Sequence, residues 1–392
     1  MSTLAPAAPT LATPDRTVVE RSVVPWYLWA VAFASTSVII GVIWDISWHR
    51  TIGRDTFWTP AHLAIYLGGA VAGLSCGWTV LATTFAGTET DRGAAVRFWG
   101  FRGPLGAWVC IWGSLAMITS GPLDDWWHNT YGLDVEILSP PHTVLAAGIL
   151  AIQIGAMLMA LARQNTAVGG GRSESFLFVY AGGVLLLMLA TLTTNEITFP
   201  NDQHGTLFFL VSAGIFPFVL VGLSRSARFP WGATMAAAIY MAGTTIMIWV
   251  LQLFPAQPML APILRQVDSM VPPAFPILLV IPALAVDLIM HRLPAGAPVL
   301  RQWSTAVGAG LTLMLVLGVV QWYFSEFLLT SGARNFVFGA DQWDYNSTPG
   351  SWQHEFWNPT VTRAGAGWAA VVAMVSATGG LGWGNWLARV RR

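Results

Sequence analysis

"PWYLWAVAFASTSVIIGVIW", residues 25–44, decides the fold class, because its 20 residues include no charged side chain. An apolar helix of about 20 residues is long enough to cross the hydrocarbon core of a membrane. Similar runs recur along the 392-residue chain, of which 55% is apolar and only 10% charged. A soluble protein of this length needs far more charge to cover its surface. The sequence therefore predicts an all-α, polytopic transmembrane helical bundle.

The apolar runs predict about ten spans. Their ranges are 25–46, 61–86, 103–121, 141–162, 175–193, 206–224, 231–253, 273–290, 303–324 and 365–388. Residues 1–24 are rich in Pro, Ala and Thr, which indicates a disordered tail. The rest divides into a first region at 25–165 and further transmembrane helices at 166–392, with a long loop at about 325–364.

Arginine positions predict the orientation, because the chain contains no lysine. Fourteen of the 19 arginines lie in the N-terminal tail, the even-numbered loops or the C-terminus, and five lie in the odd-numbered loops. Positive residues favour the cytoplasmic side. We therefore expect both termini in the cytoplasm, the odd-numbered loops outside, and a location in the inner (cytoplasmic) membrane.

The charge and the cysteine positions argue against a nucleic-acid-binding protein and against a disulfide or thiolate metal site. The formal net charge is zero at pH 7, and basic residues cluster only in short loops, so we expect no nucleic-acid partner. The two cysteines, Cys76 and Cys110, lie inside predicted spans. Their placement indicates small packing residues rather than a disulfide or a thiolate metal site.

One pattern occurs twice at the ends of spans. "WDISWHRTIGRDTFWTPAH", residues 44–62, and "DDWWHNTYGLDVEILSPPH", residues 124–142, share the form Asp-x3-His-x3-Gly-x-Asp followed by Ser/Thr-Pro-x-His. Asp and His at i and i+4 lie on one helix face, close enough to share an ion. The Ser/Thr-Pro pair is typical of a helix start, with Thr59 and Ser139 as N-caps.

Each copy therefore joins the end of one helix to the beginning of the next, and both copies fall in odd-numbered loops near the outer face. The predicted metal ligands are Asp45, His49, His62, Asp124, His128 and His142. The alternative is an aromatic belt with polar loop caps. The repetition, and the low frequency of ionisable residues near the membrane, favour a metal site.

Neighbouring polar residues have less decisive patterns. Asp55 and Asp134 either orient the imidazoles or solvate the loops and pair with Arg50 and Arg54. "NEITFPNDQH", residues 195–204, is an additional ligand source, a path for protons or a polar loop, and its spacing favours the polar loop. The loop at 325–364 is long and aromatic, which is typical of a lid or a partner-docking segment.

At residues 45–62 the chain resembles the C-type membrane polypeptide of the particulate methane and ammonia monooxygenases, the copper membrane monooxygenases. Asp45, His49 and His62 match the ligands of that family's copper motif, with the accompanying Arg-Asp-Thr and Thr-Pro-x-His. Asp124, His128 and His142 match its second motif in spacing, with Asp124 where the family usually has Asn. The resemblance covers roughly residues 25–165.

The resemblance implies one or two copper ions, other membrane subunits or a homo-oligomer, and O2-dependent hydroxylation of a small substrate with an electron donor such as a quinol. Ligand chemistry alone also allows iron or zinc, because two histidines and one carboxylate form the facial triad of non-haem iron oxygenases. The rival functions are a metal or proton transporter and a noncatalytic assembly subunit with a structural metal.

Overall fold

The structure is a computed structural model that describes residues 24–53, 55–132, 139–167, 171–194, 197–259, 266–294, 296–342 and 360–392. The predicted tail, apart from residue 24, lies outside these residues. Within the described ranges, nine helices are long and apolar enough to cross a membrane, which confirms the all-α, multi-pass architecture. The helices are α1 (Trp26–Thr51), α2 (Pro60–Phe85), α3 (Glu89–Ala94), α4 (Leu105–Tyr131), α5 (Pro140–Thr166), α6 (Arg172–Thr194), α7 (Thr206–Ser226), α8 (Gly232–Leu251), α9 (Val280–Met290), α10 (Val299–Leu328) and α11 (Arg363–Leu387).

Short elements complete the chain between these helices. A two-stranded antiparallel hairpin, β1 (Val96–Phe98) and β2 (Phe101–Gly103), joins α3 to α4. Its two turn residues, Trp99 and Gly100, both have positive φ, as a tight two-residue hairpin turn requires. Two 3₁₀ helices, Ser331–Ala333 and Ala340–Gln342, follow α10.

Two helices extend beyond their predicted spans. The apolar runs end at residues 46 and 121, but α1 continues to Thr51 and α4 to Tyr131. Hydropathy marks where a helix leaves the hydrocarbon layer, whereas the backbone hydrogen bonds continue through polar residues. The Asp-x3-His segments of both copies therefore lie on helices, as their spacing predicts.

The eighth predicted span, 273–290, is helical only from Val280. Residues 271–279 are non-helical, and Pro272, Pro273 and Pro276 explain this, because proline lacks an N–H and disfavours helical geometry in the preceding residue. Non-helical backbone at membrane depth needs partners from surrounding protein. Side chains satisfy three of its N–H groups: Val271 with Thr51 at 2.8 Å, Ile277 with Tyr240 at 3.0 Å and Leu278 with Gln321 at 2.9 Å.

Replacing Gln321 by leucine is expected to destabilise the bundle, because the N–H of the partly buried Leu278 loses its acceptor, the side-chain oxygen of the fully buried Gln321. An unsatisfied buried donor costs about 1–3 kcal/mol. Thermal unfolding in detergent measures the change. Val319→Ala on the exposed face of the same helix is the control, and equal unfolding temperatures for the two variants would contradict the expectation.

The repeat seen in the sequence is also present in the helix packing. A Cβ on Gly68 of α2 would lie 2.7 Å from the carbonyl oxygen of Ala34 in α1, and a Cβ on Gly148 of α5 would lie 2.8 Å from that of Gly113 in α4. Gly68 and Gly148 each lie six residues after the second histidine of their copy, and Ala34 and Gly113 each lie eleven before the aspartate. The α1–α2 and α4–α5 hairpins therefore pack in the same way.

The described residues of the loop between α6 and α7, 197–205, are mostly buried rather than solvated. Gln203 and His204 are almost inaccessible to solvent, which differs from the expected polar loop. The His204 ring stacks on Trp322 with 3.8 Å between centroids, and its Nε2 lies 3.0 Å from the hydroxyl of Ser325. Gln321 donates to the side-chain oxygen of Gln203 at 2.6 Å. These polar groups hydrogen-bond to α10, so burial does not leave them unpaired.

The long loop after α10 is partly described. Its first part folds back on α8, where Trp249 donates to the carbonyl of Val337 and Gln252 donates to that of Phe336. Residues 343–359, including His354 and Glu355, lie outside the described residues. The role of the loop at 325–364 as a lid or docking segment stays a prediction.

Candidate metal centre

The first acid–histidine cluster forms where α1 ends and α2 begins. Asp45 and His49 lie one turn apart on α1, with His49 Nε2 3.8 Å from the Asp45 carboxylate. His62, in the first turn of α2, places its Nε2 3.1 Å from the other oxygen of Asp45. The structure therefore brings the three predicted ligands of this copy together.

Asp55, from the loop between the two helices, also enters the cluster. Its carboxylate lies 3.5 Å from His49 Nε2 and 3.0 Å from His62 Nε2. Burial alone would raise the pKa of the Asp55 carboxyl, but hydrogen bonds from His49 and His62 outweigh it and hold that pKa well below its ordinary value. Asp55 is thus an anion throughout the neutral pH range and lies close enough to act as a ligand itself.

The second cluster repeats the arrangement at the junction of α4 and α5. His128 Nε2 lies 3.5 Å from one oxygen of Asp124, and His142 Nε2 lies 3.4 Å from the other. The two imidazole rings are 6.1 Å apart between centroids. Asp134, the counterpart of Asp55, lies outside the described residues together with Glu136.

The acid–imidazole distances of 3.0–3.8 Å fit a bound transition-metal ion. Nitrogen or oxygen ligands that each lie about 2.1 Å from one ion are roughly 3–4 Å apart. In each cluster, three such atoms lie within 4.8 Å of one another: those of Asp124, His128 and His142, and those of Asp45, His49 and Asp55. His62 adds a further nitrogen to the first cluster through its contacts with both carboxylates.

The two clusters also share a buried carboxylate oxygen in the same place. One oxygen of Asp45 faces the Nε2 of His62 at 3.1 Å and one oxygen of Asp124 faces the Nε2 of His142 at 3.4 Å, and neither contact has good hydrogen-bond geometry. Burying a carboxylate oxygen without a well-formed hydrogen bond is costly, and a cation between it and the imidazole would remove the cost. The residues present therefore fit a metal ion, while metal binding itself stays a prediction.

Helix starts position the second histidine of each copy. Pro60 and Pro140 begin α2 and α5, as predicted. The hydroxyl of Ser139 accepts a hydrogen bond from the backbone N–H of His142, which confirms its N-cap role. Thr59 differs, because its hydroxyl accepts from the N–H of Thr56 in the preceding loop instead of capping α2.

Aromatic side chains lie between the two clusters. Tyr66 is one turn after His62 on α2, with its ring 6.1 Å from that imidazole and 5.1 Å from the ring of Phe57. A Cβ on Gly121, one turn before Asp124 and Asp125 on α4, would lie 3.3 Å from Phe57 and 4.0 Å from the Tyr66 hydroxyl. The clusters therefore lie at the same end of the bundle, on either side of the α2–α4 interface. Tyr66 lies four residues after His62, and this spacing alone places both side chains on one face of α2.

Other charged residues near the motifs point elsewhere. The guanidinium of Arg50 lies 4.8 Å from the centroid of the Phe199 ring. Asp125 accepts a hydrogen bond from Asn129 on its own helix. Arg54 lies outside the described residues, and so does Glu196 of the α6–α7 loop. Of the flanking acids that the structure describes, Asp55 contacts the histidines of a cluster.

Comparison of the chain with protein-family models, with curated proteins and with solved structures finds no match. The two clusters and the surrounding bundle are therefore the basis for the function.

We expect Asp55→Ala to weaken metal binding at the first cluster alone, because the Asp55 carboxylate contacts the two histidines of that cluster. Loss of a partner even in the outer shell lowers metal affinity by about 10–100-fold. Competition with a chelator, followed by metal analysis of the purified protein, measures the change. Asp125→Ala is the matched control, because that exposed aspartate contacts neither histidine pair. Equal affinities for the two variants would remove Asp55 from the site.

Proposed function

We propose that this membrane protein binds copper at both acid–histidine clusters and takes part in O2-dependent hydroxylation of a small substrate. The observation that supports it is the convergence in each copy of three ligand atoms to within 4.8 Å. The resemblance of residues 45–62 to the copper motif of the membrane monooxygenases favours copper among the metals that imidazole and carboxylate ligands accept.

The proposed ligands are the Nε2 atoms of four histidines and the carboxylates of Asp45, Asp55 and Asp124. Bound copper supplies one-electron and O2 chemistry. The carboxylates offset the positive charge of the ion. The Phe57 and Tyr66 rings, 5.1 Å apart between centroids, would limit the access of water between the clusters. The imidazole of His49, which is 51% exposed, leaves the first cluster accessible from one side.

The proposal includes partners. The exposed apolar helix faces contact membrane lipid, from which a small apolar or weakly polar substrate enters. A quinol is the proposed electron donor, since it partitions into the same lipid. Other membrane subunits or further copies of this chain complete the assembly, and the face with the clusters is the outer one, as the arginine distribution predicts.

Metal analysis of the protein purified from its native membrane tests the metal, and incubation with a quinol and isotopically labelled O2 tests the reaction. We expect copper in the preparation and labelled oxygen in a hydroxylated product. Iron or zinc in place of copper would overturn the choice of metal. Unlabelled product, or none from the intact native assembly, would overturn the hydroxylation.

The non-helical segment at 271–279 favours a second candidate, metal transport. Interrupted transmembrane helices are typical of transporters, where unwound backbone lines the substrate path. Here the segment borders a cavity of about 40 Å³ lined by Thr191, Thr194, Thr244, Pro273 and other residues. Flux of copper, iron or zinc into vesicles containing the purified protein tests this candidate, and impermeable vesicles would reject it.

A further inference from the structure

Three sulfur atoms meet in the interior of the α2–α4–α5 unit. Cys76 of α2, Cys110 of α4 and Met159 of α5 are all buried. The thiol of Cys76 donates to the thioether sulfur of Met159 at 3.7 Å, and the thiol of Cys110 lies close enough to that of Cys76 to interact with it electrostatically. The residues come from three helices and are separated by up to 83 positions, so the sequence did not indicate that they meet.

The spacing of these sulfurs suits a shared metal ion. Sulfur ligands that lie about 2.3 Å from one ion are roughly 3.8–4.0 Å apart in tetrahedral or trigonal geometry. The 3.7 Å between Cys76 and Met159 is close to this value. Gly155 provides the space for the third sulfur, because a Cβ there would lie 2.5 Å from the Sγ of Cys110.

The apolar surroundings of the three sulfurs favour a monovalent ion. The cluster lies among buried apolar residues of three transmembrane helices, where an uncompensated charge is costly. One thiolate neutralises a monovalent cation, whereas a divalent ion needs two thiolates and usually a fourth ligand. Thiolate and thioether ligands are soft and select Cu(I) over the harder metals.

We propose that Cys76, Cys110 and Met159 form a Cu(I) site, separate from the two acid–histidine clusters. The Cys76 thiol loses its proton to solvent as the copper–sulfur bond forms, and copper enters and remains as Cu(I), so no electron is transferred. Cys110 keeps its proton, since its thiol donates to the carbonyl of Ile152 at 3.7 Å, and it would bind the ion through a sulfur lone pair as a neutral donor, like Met159. The site is neutral when filled.

The test loads the purified protein with Cu(I) under anaerobic, reducing conditions in the presence of a competing Cu(I) chelator. We expect copper that the chelator does not remove, with sulfur neighbours near 2.3 Å by X-ray absorption. The double variant Cys76→Ala/Cys110→Ala loses this copper. Met159→Leu, a change of similar volume that cores tolerate, binds it at least about 10-fold more weakly.

Met157→Leu is the matched control, because Met157 is equally buried on the same helix but is not one of the three sulfurs. It retains the copper. A His62→Ala/His142→Ala protein also retains the sulfur-bound copper, so failure of the acid–histidine proposal is distinguishable from failure of this one. Chelator-resistant copper that is unchanged in both the cysteine and Met159 variants would overturn the proposal. A Cys76–Cys110 disulfide with no copper bound under reducing conditions would overturn it too.

Discussion

The double variant His62→Ala/His142→Ala is expected to lose the metal of both acid–histidine clusters. Each imidazole places its Nε2 within 3.4 Å of a carboxylate in its own cluster. Removing a direct ligand is expected to cost more than the roughly 100-fold that loss of an outer-shell partner can cost. Metal analysis after dialysis against a chelator measures the loss, and each single variant loses the metal of one cluster.

His291→Ala is the matched control for these substitutions. His291 follows α9, and its ring lies against Trp231 with 5.0 Å between centroids. We expect its removal to leave the metal content unchanged. If the double variant binds as much metal as this control, the six-residue assignment is wrong.

Gly148→Leu is expected to dismantle the second cluster without touching any of its ligands. A side chain at this position meets the backbone of Gly113 at 2.8 Å, so α4 and α5 must separate to admit it. Overpacking of this kind costs about 1–3 kcal/mol, and more where backbone is the obstacle. Because His128 is on α4 and His142 on α5, separation moves them apart. We expect a lower unfolding temperature and loss of metal from the second cluster.

A matching variant tests the first cluster, and a third variant is the control. Gly68→Leu in the α1–α2 hairpin is expected to empty the first cluster and spare the second, because its side chain meets Ala34 of α1. Gly308→Leu in α10 has no atom within 4 Å of the added Cβ and leaves both metals bound. Loss of both metals in either hairpin variant would mean that the clusters depend on each other.

The clusters and the region between them could be predicted only in part from the sequence. Asp45 with His49, and Asp124 with His128, were predictable because i and i+4 positions of a helix share a face whatever the helix packs against. Asp55 was ambiguous, since a loop residue has no such periodicity, and its contact with both histidines depends on how the loop folds. Phe57 and Tyr66 depend on the α2–α4 interface, which the sequence does not specify.

The sequence by itself determined the membrane bundle, the duplicated motif and the six acid–histidine residues, because hydropathy and short spacings are local properties of the chain. Tertiary structure alone decided that three N–H groups of residues 271–279 find side-chain acceptors, that His204 is buried, and that Cys76 meets Cys110 and Met159. These features depend on which helix faces meet. Close backbone contacts, such as that of Gly148 with Gly113, decide this, and they join residues far apart in the chain.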